Sequence, residues 1–157
     1  MNDRRQWLLS TSICVMGWVS PALSASSSTL PGSKDLRATL AMSNAMHRPL
    51  VLMASLDHCV YCQLVRERHL FPLLQSGQPV VQLDLRNHAE ILDPEGQPSS
   101  QDALLRRWSV RLAPTLLFLG PGGRELAERL EGVPLPDFYG SYLDERLVQA
   151  RSRIPHS

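Results

Sequence analysis

The stretch LVLMASLDHCVYC, residues 50–62, decides the fold and carries the chemistry. Residues 50–54 form a short, continuous apolar run, which is typical of a strand that is covered on both faces. Cys59 and Cys62 follow at the start of a helical segment, where two thiols at this spacing can meet as a disulfide. The unpaired N–H groups and the positive dipole end of the helix favour the thiolate of the first cysteine. The stretch therefore indicates reactive thiols at a strand-to-helix turn.

Residues 1–25 have the pattern of a secretory signal peptide. A basic start with Arg4 and Arg5 precedes a mostly apolar run over residues 7–19, and small residues follow. Because a transmembrane helix needs ~20 apolar residues, we expect export to the periplasm with cleavage after Ser24 or Ala25. An uncleaved anchor or a disordered tail is the alternative. The two arginines also resemble part of a twin-arginine signal, so the export route stays open.

The composition describes one domain without a basic footprint. The chain has 157 residues, of which 16 are basic and 15 acidic, and its formal net charge is +1. Nucleic-acid binding needs a clustered basic face, which this balance does not favour. Residues 26–32 are Ser-rich and end in Pro-Gly, so we expect a linker there and a domain over residues 33–153. With no sign of an oligomer in the sequence, we expect a monomer.

The use of cysteine favours a redox role over a structural one. Cys14 would leave with the signal peptide, so the exported chain would keep only Cys59 and Cys62. Disulfide-stapled exported scaffolds use several pairs across long loops, whereas a bridge over two residues closes very little loop entropy. A structural bridge or a buried, inert pair is the alternative.

Hydrophobic periodicity and turn residues predict alternating helices and strands. Helices are expected over 34–46 with Ser33 as N-cap, 59–70, 101–108 and 136–151, and strands over 50–54, 80–85, 115–119 and 125–130. Residues 87–100 are expected to form a loop, and Pro72 should end or kink the second helix. The inward positions of the last helix are predicted to be Phe138, Tyr142, Leu143 and Leu147.

The connections between these elements predict the fold class. Helical crossovers imply parallel strands, and the tight turn over 120–123 makes the last strand pair antiparallel. The expected fold is α/β, with a central four-stranded mixed sheet flanked by helices on both faces.

This order of elements resembles the thioredoxin superfamily. Three features coincide: Cys59-x-x-Cys62 after the first strand, Ala113-Pro114-Thr115 before the third, and Glu131-Gly132 before the last helix. The resemblance covers roughly residues 33–151 and extends to exported thioredoxins of the sulfur-oxidation (SoxW-like) type, which carry segments like residues 93–100 and 130–138. It implies the thioredoxin fold and thiol–disulfide oxidoreductase activity.

The resemblance also assigns roles to residues near the thiols. Cys59 would attack a substrate disulfide and form a mixed disulfide, which Cys62 would resolve. Pro114 would be the family's cis-proline beside the thiols, and Ala113 would pair through its backbone with an extended substrate segment. An ordinary trans-proline at a strand start is the alternative. No cofactor is expected beyond the Cys59–Cys62 disulfide itself.

Two features depart from the family pattern. Cytosolic thioredoxins carry a buried acid on the strand before the motif and a lysine on the next strand, where this chain has Met53 and Gln82. Because the acid and the lysine are both absent, neither charge is buried without its partner. The proton acceptor for the second thiol is therefore open, with water and Asp57 as candidates. The dipeptide between the cysteines is Val60-Tyr61 rather than Gly-Pro.

His58 and Tyr61 complete the candidate substrate-binding residues. A protonated His58 would favour the thiolate, although a solvated loop histidine is the simpler interpretation. Tyr61 would present an exposed ring to substrates or pack on the start of the helix. Elsewhere, His69 is expected to be a satisfied core histidine, and Arg106 and Arg107 are expected to form a solvated face.

The leading hypothesis is an exported reductase of protein disulfides. Such a protein needs electrons in an oxidising compartment, so a membrane thiol-electron transporter is the expected donor and protein thiols or disulfides are the expected substrates. The same fold could act as an oxidase or isomerase, although the dimerisation extension common in isomerases is absent. A Cu(I)-binding module is the third hypothesis, because two thiolates alone can hold that ion, whereas zinc needs more ligands.

Overall fold

The apolar run at residues 50–54 lies in the middle of the sheet, as its composition predicts. The computed structural model describes residues 29–155, and in it Leu50–Ser55 forms strand β1, which is buried along its whole length. The predicted signal peptide and residues 26–28 of the predicted linker lie outside the described residues. In the rest of that linker, Leu30 packs in the core, and the Pro31 carbonyl accepts a hydrogen bond from the Gln82 N–H at 2.8 Å. The packed part of the described chain therefore begins before residue 33.

The other elements follow the predicted order with shifted ends. The helices are α1 (Leu36–Ala45), α2 (Val60–Val65), α3 (Phe71–Gln75), α4 (Gln101–Arg107) and α5 (Tyr139–Ser152). The remaining strands are β2 (Val80–Asp84), β3 (Glu90–Leu92), β4 (Pro98–Ser100), β5 (Thr115–Leu119) and β6 (Leu130–Glu131). A π-helical turn occupies Arg66–Leu70, and 3₁₀ turns occupy Pro121–Gly123 and Pro136–Phe138.

Four strands form the central mixed sheet in the order β2-β1-β5-β6. β1 and β2 are parallel, as predicted, but β5 is antiparallel to β1, with Ala54 opposite Thr115, so the expectation of a parallel strand after the second crossover is wrong. The start of α4 is held at the end of β2 by a hydrogen bond from the Asp84 N–H to the Gln101 side chain. With seven residues, α4 is too short to carry the chain back along the sheet. Strand β5 therefore starts at the same end of the sheet at which β2 finishes.

Each face of the sheet is covered by helices, which confirms the predicted layered architecture. We call the face toward α2 and α5 the dithiol-side core; its buried residues include Val51, Met53, Cys62, Phe118 and Leu147. The opposite core, toward α1 and α4, includes Leu36, Leu52, Leu83, Leu105 and Leu117. Neighbouring residues of β1 alternate between the two cores, as the period of a strand requires.

The first helix begins later than predicted because a different residue caps it. The N-cap of α1 is Asp35, whose carboxylate accepts a hydrogen bond from the Ala38 N–H at 2.9 Å. The predicted cap, Ser33, instead shares a hydrogen bond with the Thr39 hydroxyl at 2.8 Å. The apolar face of the helix is unaffected, and Leu36 is completely buried.

The helix that carries the cysteines does not end at Pro72. α2 passes into the π-helical turn, and α3 continues to Gln75. Pro72 lies in the first turn of α3, where a missing N–H disturbs the fewest helical hydrogen bonds. The prediction that the helix ends at Pro72 is therefore wrong.

The predicted loop over residues 87–100 contains an antiparallel hairpin of β3 and β4. Ile91 lies opposite Ser99, and the Asp93 carboxylate accepts hydrogen bonds from the N–H groups of Glu95 and Gln97 across the turn. Each strand is only three residues long, too short for a period-2 pattern to be recognised in the sequence.

The predicted strand over residues 125–130 is wrong along most of its length. β5 meets this segment only at an isolated bridge between Leu119 and Glu125 and again at β6, where Thr115 lies opposite Glu131. Between these points the neighbours Leu126 and Ala127 are both buried in the dithiol-side core. Two adjacent residues cannot face the same core in a regular strand, so the pairing is interrupted there.

The last helix buries a face that was only partly predicted. Leu143 and Leu147 are buried as expected, together with Tyr139 and Ala150. Phe138 and Tyr142 are instead 59% and 37% exposed. The prediction failed for Phe138 because this residue lies in the preceding 3₁₀ turn, so the helical face begins at Tyr139.

Two buried carboxylates join the hairpin to α4. Asp93 accepts a hydrogen bond from the Arg107 guanidinium at 2.9 Å. Asp102 accepts from the Ser100 hydroxyl at 2.6 Å and from Arg106. Arg106 and Arg107 are exposed, as expected, but each is paired with a buried acid rather than simply solvated.

We expect Asp102→Asn to lower the free energy of unfolding at neutral pH and to flatten its dependence on acid. The Ser100 hydroxyl lowers the pKa of Asp102 most; burial opposes this effect and Arg106 adds to it, so the pKa lies well below its usual value. A carboxyl with a depressed pKa stabilises the fold above its unfolded pKa of about 4, and this contribution is lost as the pH falls toward the folded value. The measurement is the urea midpoint at neutral pH and near pH 3. Asp144→Asn, exposed on α5, is the control, and an Asp102→Asn midpoint that matches it at neutral pH would contradict the prediction.

Candidate active site

Cys59 and Cys62 are joined as a disulfide at the start of α2. Their sulfur atoms are 2.18 Å apart and their Cα atoms 5.1 Å apart. Cys62 is completely buried, whereas Cys59 is only partly buried at the protein surface. A protein substrate can therefore reach the first sulfur directly, while the second is shielded.

The Cys59 sulfur also caps the helix. Its Sγ accepts a hydrogen bond from the Cys62 N–H at 3.1 Å, in the position that a serine or aspartate oxygen takes at an ordinary N-cap. In the reduced protein this donor and the helix N-terminus stabilise a thiolate on Cys59. This is the environment that the attacking role predicted for Cys59 requires.

The chain enters the dithiol through a residue in the left-handed region. His58 has φ of 56°, a conformation that few residues other than glycine, asparagine, aspartate and histidine adopt. Its side chain is exposed. The imidazole thus lies at the surface directly before Cys59, which fits a solvated loop histidine beside the site.

A cleft of about 400 Å³ opens next to the accessible sulfur. Its lining combines acidic and basic side chains and consists of Leu56, Asp57, His58, Cys59, Asp84 and Arg86. Asp57, one of the two candidate proton acceptors, therefore lies on the side of Cys59. Nothing in this lining brings it to the buried sulfur of Cys62.

The predicted proline lies at the start of β5. The Ala113–Pro114 peptide bond is cis, and the Pro114 carbonyl accepts a hydrogen bond from the Gly132 N–H at 2.7 Å. Ala113 is partly buried and packs against the dithiol-side core, as does Cys59. The segment before β5 and the dithiol thus rest on the same group of apolar side chains.

Exposed apolar side chains occur at both of these segments. Val60 and Tyr61, between the two cysteines, are 75% and 56% exposed, and Leu112, directly before Ala113, is 51% exposed. The Tyr61 ring is therefore available to a partner rather than packed on the start of the helix.

The chain is similar to several proteins of known structure. No family model and no curated protein matches the chain. The DsbH oxidoreductase matches with a TM-score of 0.54 and 17% identity over 79% of this chain and 86% of that one. Thioredoxin from Thermus thermophilus matches with a TM-score of 0.52 and 25% identity over 78% and 90%. Fasciola hepatica thioredoxin matches with a TM-score of 0.52 and 14% identity over 77% and 99%.

The chain has the thioredoxin fold. The order of its sheet, its flanking helices and its disulfide at a helix start all agree with this assignment. This fold and the Cys59–Cys62 disulfide together support thiol–disulfide oxidoreductase activity.

Other residues occupy the positions that hold the buried acid and the lysine in cytosolic thioredoxins. Met53 is completely buried and lies opposite Gln82 in the parallel ladder. The Gln82 side chain accepts a hydrogen bond from the Arg66 guanidinium at 2.9 Å, and Ser55 lies 3.5 Å from the same nitrogen. Sequence reasoning missed Arg66, although its spacing of four from Cys62 was a usable signal.

His69 lies where the helix of this thioredoxin fold meets α5. Its ring centroid is 5.1 Å from that of Tyr139, and burial is the main cause that lowers the pKa of His69. Burial also raises the pKa of Tyr139, whose hydroxyl has no hydrogen-bond partner among the described residues. His69 is thus a partly buried packing residue, close to the expected core histidine.

Within residues 29–155, no cluster of three or more His, Cys, Asp or Glu side chains could hold a metal ion. No helix in the same range is both long and apolar enough to cross a membrane.

Proposed function

We propose that this thioredoxin-fold protein is exported and reduces protein disulfides through Cys59 and Cys62. The proposal is carried by one observation, the unequal exposure of the two sulfurs at a helix start. Cys59 is accessible and accepts the Cys62 N–H, whereas Cys62 is completely buried. An accessible sulfur suits attack on a large substrate, and a shielded neighbour suits resolution of the resulting mixed disulfide.

In the proposed cycle the reduced protein supplies two electrons. The Cys59 thiolate attacks one sulfur of the substrate disulfide, forms a mixed disulfide and releases the other substrate sulfur as a thiolate. Cys62, after losing its proton, attacks the Cys59 sulfur and releases the second substrate thiolate. The substrate disulfide is reduced to two thiols, and the dithiol is oxidised to the Cys59–Cys62 disulfide. Water takes the Cys62 proton in this cycle, because Asp57 lies on the side of Cys59 and not of Cys62.

The surroundings of Cys59 are proposed to hold the substrate. An extended substrate segment would pair with the backbone of Ala113, which Pro114 positions at the start of β5. The exposed ring of Tyr61 would contact apolar substrate side chains, and His58 would border the segment on the side of the cleft. Protein disulfides with accessible, apolar flanking residues are the expected substrates.

Export and electron supply complete the proposal. Residues 1–25 would be cleaved as a signal peptide by the general secretory or the twin-arginine route, leaving a linker before the domain that ends near residue 153. A periplasmic reductase is oxidised after each cycle, so a membrane thiol-electron transporter would have to reduce it again. The protein would act as a monomer in the periplasm. Amino-terminal sequencing of the protein from a periplasmic fraction tests the export step, and a new terminus at Ala25 or Ser26 is the expected result.

We expect the wild-type protein to catalyse reduction of insulin disulfides by a small dithiol. The physical reason is that an accessible thiolate at a helix start reacts faster with disulfides than a free thiol of ordinary pKa. The measurement is the rate of insulin B-chain precipitation above the uncatalysed rate. Precipitation no faster than without the protein would end the reductase proposal.

The equilibrium with glutathione tests the direction of electron flow. Known thioredoxin-fold pairs span about −270 to −120 mV. A potential near the reducing end supports a reductase, whereas one near the oxidising end would reassign the protein as an oxidase or isomerase. Stoichiometric Cu(I) binding that is lost in Cys62→Ser, without any reductase turnover, would favour the copper-binding alternative.

A further inference from the structure

Arg66 lies one helical turn after Cys62, on the same side of the helix. Its backbone N–H donates to the Cys62 carbonyl, which is the hydrogen bond of one α-helical turn. Residues four apart in a helix are neighbours on its surface. The Arg66 side chain therefore begins next to the resolving cysteine.

The guanidinium of Arg66 is held between this helix and the sheet. Its Nη1 donates to Gln82 Oε1 at 2.9 Å and lies 3.5 Å from Ser55 Oγ. Ser55 follows Met53 by two residues on β1, so both side chains face the dithiol-side core. The positive charge is thus fixed at the edge of the core that also contains Cys62.

This charge has no counter-ion in the disulfide form. Among the ion pairs of residues 29–155, none includes Arg66, and its buried Nε has no hydrogen-bond partner in that range. The buried carboxylates of the same range, Asp93 and Asp102, are paired with the arginines of α4. A guanidinium remains protonated in proteins, and a partly buried charge without a partner is unfavourable.

We propose that the missing counter-ion is the thiolate of the reduced dithiol, so that Arg66 is a positioning residue whose charge stabilises the reduced form relative to the disulfide. The two sulfurs are neutral when bonded to each other, and one of them carries a negative charge after reduction. A cation that starts one helical turn from Cys62 and is held at the edge of the same core therefore favours the reduced form. This inference rests on the proposed function only in using the same pair of cysteines.

The charges expected near the second cysteine differ between this chain and cytosolic thioredoxins. There, a buried acid faces the second cysteine and a lysine accompanies it; here Met53 replaces the acid, and the cation comes from the helix instead of the next strand. The charged group one helical turn from Cys62 is consequently the Arg66 guanidinium. The disulfide of this protein is therefore a stronger oxidant than the same disulfide would be without Arg66.

The equilibrium constant with glutathione measures the effect directly. Two molecules of reduced glutathione give two electrons and two protons to the Cys59–Cys62 disulfide and become joined as glutathione disulfide. Because the constant is an equilibrium property, it needs no reductase turnover. If the reductase assay shows no activity, the equilibrium constant can still be measured. If Arg66 does not affect the equilibrium constant, the proposed reductase activity is not contradicted.

We expect Arg66→Met to raise the equilibrium constant for forming the Cys59–Cys62 disulfide about tenfold, the size of one partly screened charge interaction. Methionine keeps an unbranched side chain and removes the charge. Arg66→Lys, which keeps the charge, should stay within about twofold of the wild type. Arg68→Met is the matched control, because Arg68 is exposed in the same π-helical turn, and it should also stay near the wild type.

A second variant keeps the test decisive if Arg66→Met folds poorly. Gln82→Glu places a carboxylate 2.9 Å from the guanidinium in place of the amide oxygen and should shift the constant in the same direction. Urea unfolding of the oxidised and reduced forms must show the same change in their stability difference, because the two measurements are linked by a thermodynamic cycle. An unchanged constant in both Arg66→Met and Gln82→Glu, or an equal change in Arg66→Lys, would overturn the proposal.

Discussion

Cys59→Ser is expected to abolish the reduction of protein disulfides, lowering the rate by roughly three orders of magnitude or more. A serine hydroxyl is not ionised near neutral pH and cannot form a disulfide with the substrate. The fold should be retained, because serine is a preferred N-cap and its oxygen can accept the Cys62 N–H in place of the sulfur. The insulin assay measures the loss, and circular dichroism measures the fold.

Val60→Ala is the control for this variant. Val60 adjoins Cys59 and is 75% exposed, so its truncation alters the neighbourhood without removing a reacting group. We expect it to keep activity of the same order as the wild type. Wild-type activity in Cys59→Ser would instead show that another group carries out the reaction.

Cys62→Ser is expected to convert the protein into a covalent trap for its substrates. Without the second thiol, the mixed disulfide on Cys59 cannot be resolved internally, so repeated turnover should fall to the background rate. The partner should remain attached to Cys59 until an external thiol is added. Mass analysis of species that disappear on reduction identifies the partner and hence the direction of electron flow.

The burial of Cys62 calls for a companion variant. Its side chain is completely buried in the dithiol-side core, and a buried hydroxyl without a partner destabilises a protein by about 1–3 kcal/mol. Cys62→Ala avoids the hydroxyl and should trap the same partners. Traps that form equally well with Cys59→Ser, or not at all with either Cys62 variant, would contradict the assignment of Cys59 as the attacking sulfur.

The sequence was sufficient for those parts of the fold that rest on strong local patterns. The apolar run before the cysteines is confirmed as a central strand, because a short continuous apolar run suits a strand that is covered on both faces. The strand at Thr115–Leu119 is confirmed for the same reason, and the parallel pairing of the first two strands is confirmed because a helical crossover joins them. The position of Cys59 as a helix cap agrees with the pattern that indicated reactive thiols.

Features that depend on tertiary contacts were not predictable. The cap of α1 moved to Asp35 because Ser33 found a different partner in Thr39. The pairing of Asp93 and Asp102 with α4 requires knowing that the hairpin folds against that helix. Local sequence reports what a residue prefers, whereas these positions were decided by which neighbours the fold brought to them.

Arg66 shows the same limit at the candidate site. The absence of an acid at Met53 and of a lysine at Gln82 was visible in the sequence, and it left the proton acceptor for the second thiol open. The guanidinium reaches Gln82 from another element, over a separation of 16 residues. The sequence shows that the charged pair is missing, but only the three-dimensional structure shows that the Arg66 guanidinium lies at this position.

The π-helical turn at Arg66–Leu70 acts as a fixed rotation within one helical rod. One additional residue in a turn offsets everything beyond it by about 100° around the axis relative to an uninterrupted α-helix. The side chains of the segment that carries the cysteines and those of the segment that contains Leu70 therefore point in directions that a regular α-helix would not give them. Deleting the exposed Glu67 would remove that offset, so Cys62 and Leu70 could not both keep their present buried positions.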